Sequence, residues 1–121
     1  MLNPDHAFLA DVLIAARKVK RFVSGVCRTE FEDDDMRESA VVRQLTIIGE
    51  AAKNVSPGFR AAHPEIPWRK MAGMRDVLVH AYRRVDLAEV WVIATESVPS
   101  LIEALEPLVA AAEEQLEDRT Q

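Results

Sequence analysis

Apolar side chains recur at intervals of three and four residues along most of this chain, and no other feature constrains its fold as strongly. The first such stretch follows Asn3-Pro4 and stops near Ser24-Gly25. Asparagine is a favoured N-cap, proline suits the first helical position, and glycine commonly ends a helix. The stretch therefore predicts an amphipathic helix. Its apolar positions are Phe8, Leu9, Val12, Leu13, Ala16, Val19 and Val23.

Three further long helices and one short helix are predicted from the same spacing. The second helix follows a capping-box pattern at Thr29–Glu32 and an acidic run at residues 32–35, which also suits a helix N-terminus. It runs to about Asn54, and the short helix covers residues 56–62. A third begins at Trp68, and Asp86 caps a fourth. The connections are brief and no repeat or linker is present. We therefore expect one domain, residues 1–121, folded as an all-α, up-and-down helical bundle of four main helices plus a short one.

Gly49 and Pro99 lie inside predicted helices and are poor helix formers. Gly49 costs roughly 1 kcal/mol relative to alanine, so we expect another helix to approach the second helix closely at that point. Pro99 has no N–H to donate, so we expect it to kink or restart the last helix.

Charge is unevenly distributed along the sequence. The net charge of −5 by itself argues against a nucleic-acid-binding protein. Residues 60–84, however, hold six of the 15 basic and two of the 20 acidic residues, which leaves nine basic and eighteen acidic residues elsewhere. This region is a candidate phosphate-binding surface, although runs of charge are often only solvated faces.

Several classes of protein are disfavoured. Cys27 is the only cysteine, so neither an intramolecular disulfide nor a zinc cluster is expected. The chain has no glycine-rich phosphate loop and no His-Glu-x-x-His pair. No apolar run approaches the ~20 residues of a membrane span, and Asp5 and Asp11 lie where a signal peptide would be basic. We expect a cytoplasmic protein that does not bind membranes.

The segment MRDVLVHAY concentrates the residues capable of chemistry. Arg75 and Asp76 precede His80, which is followed by Tyr82. On an ideal helix Arg75 and Tyr82 share a face, whereas Arg75 and His80 lie roughly 140° apart. One straight helix would therefore not direct both at one point. Either the helix ends or distorts near His80, or a second copy in a symmetric dimer completes the site.

These residue types suit RNA cleavage. The RNA 2′-hydroxyl is a built-in nucleophile. Its attack needs a base that removes its proton and a cation that stabilises the negative charge of the phosphorane. Histidine supplies acid–base catalysis near neutral pH, and arginine binds phosphate oxygens in a two-pronged manner. Asp76 can orient Arg75 or His80.

The segment RDVLVHAY resembles the R-x-x-x-x-H-x-Y signature of HepT-like toxins in the HEPN superfamily. Residues 40–57 and 63–91 are also similar to blocks of that family. The resemblance implies an all-α homodimer with the motifs of both subunits lining one cleft. It implies a metal-independent endoribonuclease without a cofactor, in which Arg75 and His80 are the catalytic pair. Asp76 occupies a position that is often asparagine in relatives.

The resemblance also implies regulation by a partner. HepT-like toxins of type VII toxin–antitoxin systems are typically encoded beside a nucleotidyltransferase antitoxin, MntA, which transfers AMP to the motif tyrosine. That tyrosine corresponds to Tyr82, where AMP would place phosphate charge and bulk in the RNA groove. The alternative interpretation is a catalytically silent helical module that binds a nucleotide or a protein.

For the other candidate residues, the sequence allows two roles each. Four basic residues are expected to contact RNA phosphates or acidic groups of the antitoxin: Arg69, Lys70, Arg83 and Arg84. Glu50 is either catalytic or, as we favour, a polar group at a packed interface. Trp68 and Trp91 either stack on bases or, as we favour, pack in the core.

Overall fold

Helices are the only regular elements in the part of the chain that the structure describes. The computed structural model describes residues 4–76 and 86–120, with side chains as far as residue 114 in the second range. The all-α class is confirmed for these ranges. The helices are α1 (Pro4–Val23), α2 (Arg28–Glu32), α3 (Asp35–Asn54), α4 (Pro57–Ala62), α5 (Trp68–Gly73), α6 (Leu87–Val92) and α7 (Val98–Thr120), with a π-helical segment (Ile93–Ser97) between the last two.

Helices α1 and α3 run antiparallel, and polar contacts join them at both ends. The Asp5 carboxylate at the start of α1 accepts from the backbone N–H and the hydroxyl of Ser56, just beyond the end of α3, each at 2.7 Å. At the opposite end the Arg37 guanidinium donates to the carbonyl oxygen of Phe22. Ser56 also caps α4, because its Oγ accepts from the N–H of Phe59.

The core lies between α1, α3 and α7, and α5 packs against α3. The predicted apolar face of α1 is confirmed: Leu9, Val12 and Leu13 are buried with Ala16 and Val19, and its two outer members are half-buried. Within the described ranges, no helix combines the length and the apolar character that crossing a membrane requires.

The capping box at Thr29–Glu32 does not begin the second long helix, which begins instead at the end of the acidic run. Residues 28–32 form the separate helix α2, whose Glu30 carboxylate accepts from the N–H of Cys27. Helix α3 begins at Asp35, and its cap is Asp34, which accepts from the N–H of Arg37 at 3.1 Å. The reason is tertiary: the Phe31 side chain is fully buried, so the chain turns after α2 to reach the core. The predicted end at Asn54 is confirmed.

The predicted count of four main helices and one short one does not fit the described ranges. Helix α2 is an additional short helix, and α5, which the apolar spacing predicts to run through Leu78, ends at Gly73. Met74 and Arg75 form a turn, in which the Arg75 N–H donates to the carbonyl of Ala72. This i→i−3 bond is the tightened geometry typical of a helix end. Arg75 therefore follows α5 rather than lying within it.

The last helix does not break at Pro99. It passes through the π-helical segment, in which the N–H of Val98 donates to the carbonyl of Ile93, and continues as α7. The wider π-turn directly before Pro99 is a known way for a helix to adapt to a proline, whose ring would clash with the carbonyl four residues earlier. The expected disturbance is therefore present, as a π-turn.

Candidate functional site

Four of the predicted site residues lie within eight consecutive positions, on α5 and directly after it. Arg75 is exposed in the turn after this helix, and Asp76, which follows it, is an exposed helical residue. Arg69 and Lys70 are exposed on α5 itself. We call these four residues the α5 cationic corner. Three positive charges lie within seven residues and face water, which is the arrangement that binding an anion requires.

Buried neighbours explain why the cations point outward. Met71 on α5 and Met74 directly after it are buried with Ile66 from the preceding connection, so α5 is anchored through this face. The indole Nε1 of Trp68 donates to the carbonyl oxygen of His63 at 2.8 Å, which ties the first turn of α5 to that connection. The short helix is therefore held by its apolar side, and its basic side chains remain in solvent.

Besides Asp76, which belongs to the α5 cationic corner, the next carboxylate along the chain is Glu65, and it already has a partner. Glu65 Oε1 lies 3.1 Å from His63 Nδ1. A hydrogen bond from its own backbone N–H, followed by that from His63, holds the pKa of Glu65 below its usual value. Within 4–76 and 86–114, no carboxylate forms a salt bridge with Arg69, Lys70 or Arg75. None of the three cations is neutralised by a salt bridge within these ranges, which is compatible with binding an external anion.

A cleft of about 310 Å³ adjoins this corner. Lys70 and Met74 line one side, and Ser97, Ser100 and Glu96 line another. The Ser100 hydroxyl donates to the carbonyl oxygen of Glu96 at 3.2 Å. This cleft was not predicted from the sequence. The signal that was present is the three-residue spacing of the two serines, which places them on one helical face.

The tryptophans behave as structural residues. Trp68 makes the indole hydrogen bond described above and meets the ring of Phe59 edge-on, and the ring of Trp91 lies 5.3 Å from that of Phe31. Both are half-buried against the core, as favoured from the sequence. Glu50 is exposed and lines a separate groove of about 360 Å³ between α1 and α3.

Four predicted site residues lie outside the described residues. His80, Tyr82, Arg83 and Arg84 fall between positions 76 and 86, so their roles stay predictions. The predicted relation of Arg75 to His80 across one helix is likewise untested.

The fold and the α5 cationic corner together define a small all-helical protein with an exposed cationic site at a helix end. Residues 12–108 match the family model described as Ribonuclease HepT-like. The chain therefore belongs to the HepT-like family, as its motif and flanking blocks indicated.

Relatives named as ribonucleases cover most of the chain. A protein of Thermococcus cleftensis named "Probable ribonuclease HepT" is 44% identical over 101 residues, which are 84% of this chain and 92% of that protein. "Putative RNase MJ1380" of Methanocaldococcus jannaschii is 38% identical over 100 residues, 83% of this chain and 92% of its own. No solved structure gives a significant match.

Proposed function

We propose that this protein is a metal-independent endoribonuclease that acts as the toxin of a type VII toxin–antitoxin pair. The observation that carries the proposal is that Arg75 is exposed. It lies within the residues that match the family model, in the segment that resembles the R-x-x-x-x-H-x-Y signature. Arg69 and Lys70 extend the positive surface beside it, while the chain as a whole is acidic. The names of the relatives supply the substrate class, RNA.

The proposed reaction is an internal transesterification of RNA. His80 takes the proton of a 2′-hydroxyl, the 2′-oxygen attacks the adjacent phosphorus, and the bond to the 5′-oxygen breaks. The leaving 5′-oxygen takes up a proton, and the products are a 2′,3′-cyclic phosphate and a 5′-hydroxyl. Arg75 binds the phosphoryl oxygens, where negative charge increases in the transition state. Asp76 orients Arg75 or His80.

A homodimer is part of this proposal. One Arg75 and one His80 on a short segment form a small site, and a symmetric dimer would place two motifs across one RNA groove. The single set of exposed cations on α5 supports this arrangement, because a second copy doubles the charge that contacts the RNA backbone.

We expect the purified protein to cleave single-stranded RNA with EDTA present and to leave cyclic-phosphate ends. His80→Ala is expected to abolish cleavage while the circular dichroism spectrum stays unchanged, since the base is lost and the fold is not. The measurement is end-group analysis of the products by mass spectrometry. Equal cleavage by His80→Ala would contradict the assignment. Nucleotide binding without RNA turnover would instead support the silent binding module.

We also propose that a nucleotidyltransferase antitoxin, similar to MntA, inactivates this protein by adenylylating Tyr82. The Tyr82 hydroxyl would attack the α-phosphorus of ATP, forming a phosphodiester and releasing pyrophosphate. After co-expression with the enzyme encoded beside it, intact-mass analysis should show AMP-sized additions. Tyr82→Phe should remove them, because the acceptor oxygen is gone. Additions that persist in this variant would refute the site.

A further inference from the structure

The backbone of Arg75 lies directly against Gly49 on α3. Gly49 is buried, and a Cβ placed on it would lie 2.6 Å from the Cβ of Arg75 and 2.7 Å from its backbone nitrogen. The Arg75 Cα would be 3.1 Å away. These Arg75 atoms belong to the backbone or are bonded directly to it, so they cannot rotate away from an added Cβ as the end of a long side chain can. Any side chain at position 49 therefore requires the Arg75 backbone or α3 to move.

The remaining glycines show that this contact is specific. A Cβ at Gly58 on α4 or at Gly73 on α5 would meet nothing within 4 Å, so alanine fits at both positions. Gly25 has open space but a φ of +73°, which makes it a conformational requirement of the turn after α1. Gly49 is the one position where the absence of a side chain makes room for another segment.

On the side of α5, the described residues give Arg75 one backbone hydrogen bond. Helix α5 has ended at Gly73, and the Arg75 N–H makes only a 3.4 Å bond to the carbonyl of Ala72. The Arg75 side chain is exposed. Helix α3, in contrast, is held along its length, with Leu45 and Ile48 fully buried. The rigid surface against which Arg75 rests is therefore α3 at Gly49.

We propose that Gly49 is a positioning residue for Arg75: the missing side chain lets the Arg75 backbone rest on α3 and so sets where its guanidinium meets the RNA phosphate. This inference rests on the proposed ribonuclease function. Displacing a catalytic group by about 1 Å can lower a rate on the order of 100-fold. The close approach of α3 and the motif segment is thus a requirement of the site as well as of packing.

The test is RNA cleavage by Gly49→Ala, measured as kcat and KM. We expect kcat to fall about 10- to 100-fold with a smaller change in KM, because the displaced Arg75 guanidinium loses contact mainly with the transition state. Gly73→Ala, two residues from Arg75, is the matched control and should keep wild-type kcat, since its Cβ meets nothing. Gly25→Ala is a second control, because it lowers stability through backbone strain at a position distant in sequence from Arg75. It should keep the wild-type kcat at a temperature where the variant is folded.

A double-variant comparison separates positioning from general damage. In an Arg75→Ala background, Gly49→Ala should cause no further loss of kcat, because residues that act as one unit are not additive. Equal multiplicative losses in both backgrounds would overturn the inference, as would Gly49→Ala cleaving as fast as Gly73→Ala. If Gly49→Ala is too unstable to assay, Gly49→Ala is compared with and without Arg75→Ala in a chain that also carries Gly58→Ala. Alanine at position 58 favours the helix and should raise the stability of every variant. A chain that stays unfolded there would assign Gly49 to folding and contradict the positioning role.

The wild-type protein distinguishes this inference from the proposed function. No RNA cleavage by the wild type contradicts the ribonuclease itself. Normal cleavage by both the wild type and Gly49→Ala contradicts the positioning role alone.

Discussion

Replacing Arg75 with alanine is expected to lower kcat for RNA cleavage about 100- to 1,000-fold, the effect of removing one donor that stabilises a transition-state oxyanion. Because the side chain is exposed and has no salt-bridge partner in residues 4–76 and 86–114, folding should change little. Cleavage of a short fluorescent RNA under single-turnover conditions, together with a thermal melt, measures both quantities.

Two further substitutions sharpen this prediction. Arg75→Lys keeps the charge but loses the planar two-pronged donor, so we expect activity between wild type and Arg75→Ala. Arg43→Ala removes an exposed arginine of α3 that belongs to no proposed site, and it matches the loss of charge. It should cleave RNA at the wild-type rate. A loss in Arg43→Ala equal to that in Arg75→Ala would reduce the role of Arg75 to general electrostatic attraction.

Replacing Phe31 with alanine is expected to cost about 3–5 kcal/mol in the free energy of unfolding. Phe31 is fully buried, and its ring lies 5.3 Å from that of Trp91 on α6. Helix α2 has only five residues and cannot be stable by itself, so its attachment depends on this side chain. Domains of this kind are stable by only about 5–15 kcal/mol, so the variant should approach unfolding.

Urea unfolding followed by circular dichroism measures this loss, with Met36→Ala as the control. Met36 lies close to Phe31 in sequence but is 84% exposed, so its truncation should change stability by less than about 0.5 kcal/mol. If Phe31→Ala cost no more than Met36→Ala, α2 would be held by other contacts, and the packing of Phe31 on Trp91 would carry little of the stability.

Local chemistry explains which parts of the fold could be predicted from sequence. The bounds of α1, the end of α3 at Asn54 and the start of α6 after Asp86 all follow from apolar spacing and capping. The Asp86 side chain accepts from the N–H of Glu89 at 3.1 Å. Spacing and caps act within one or two turns of a helix, so the sequence contains their cause.

Other features depended on segments that are distant in sequence. The burial of Phe31 divides the predicted second helix, and the cap moves from Thr29 to Asp34. The cleft beside Lys70 is completed by serines about 30 positions later, which no local pattern reports.

The sequence by itself determined that the chain is helical, where its clearest caps lie and which motif carries the candidate chemistry. It also indicated that Gly49 marks a close approach. Only the tertiary structure decided that Arg75 makes this approach, from a turn beyond α5 rather than from within a helix. The physical reason is that a glycine in a helix indicates only that another segment can approach closely there. Which segment does so depends on how α3 and α5 pack.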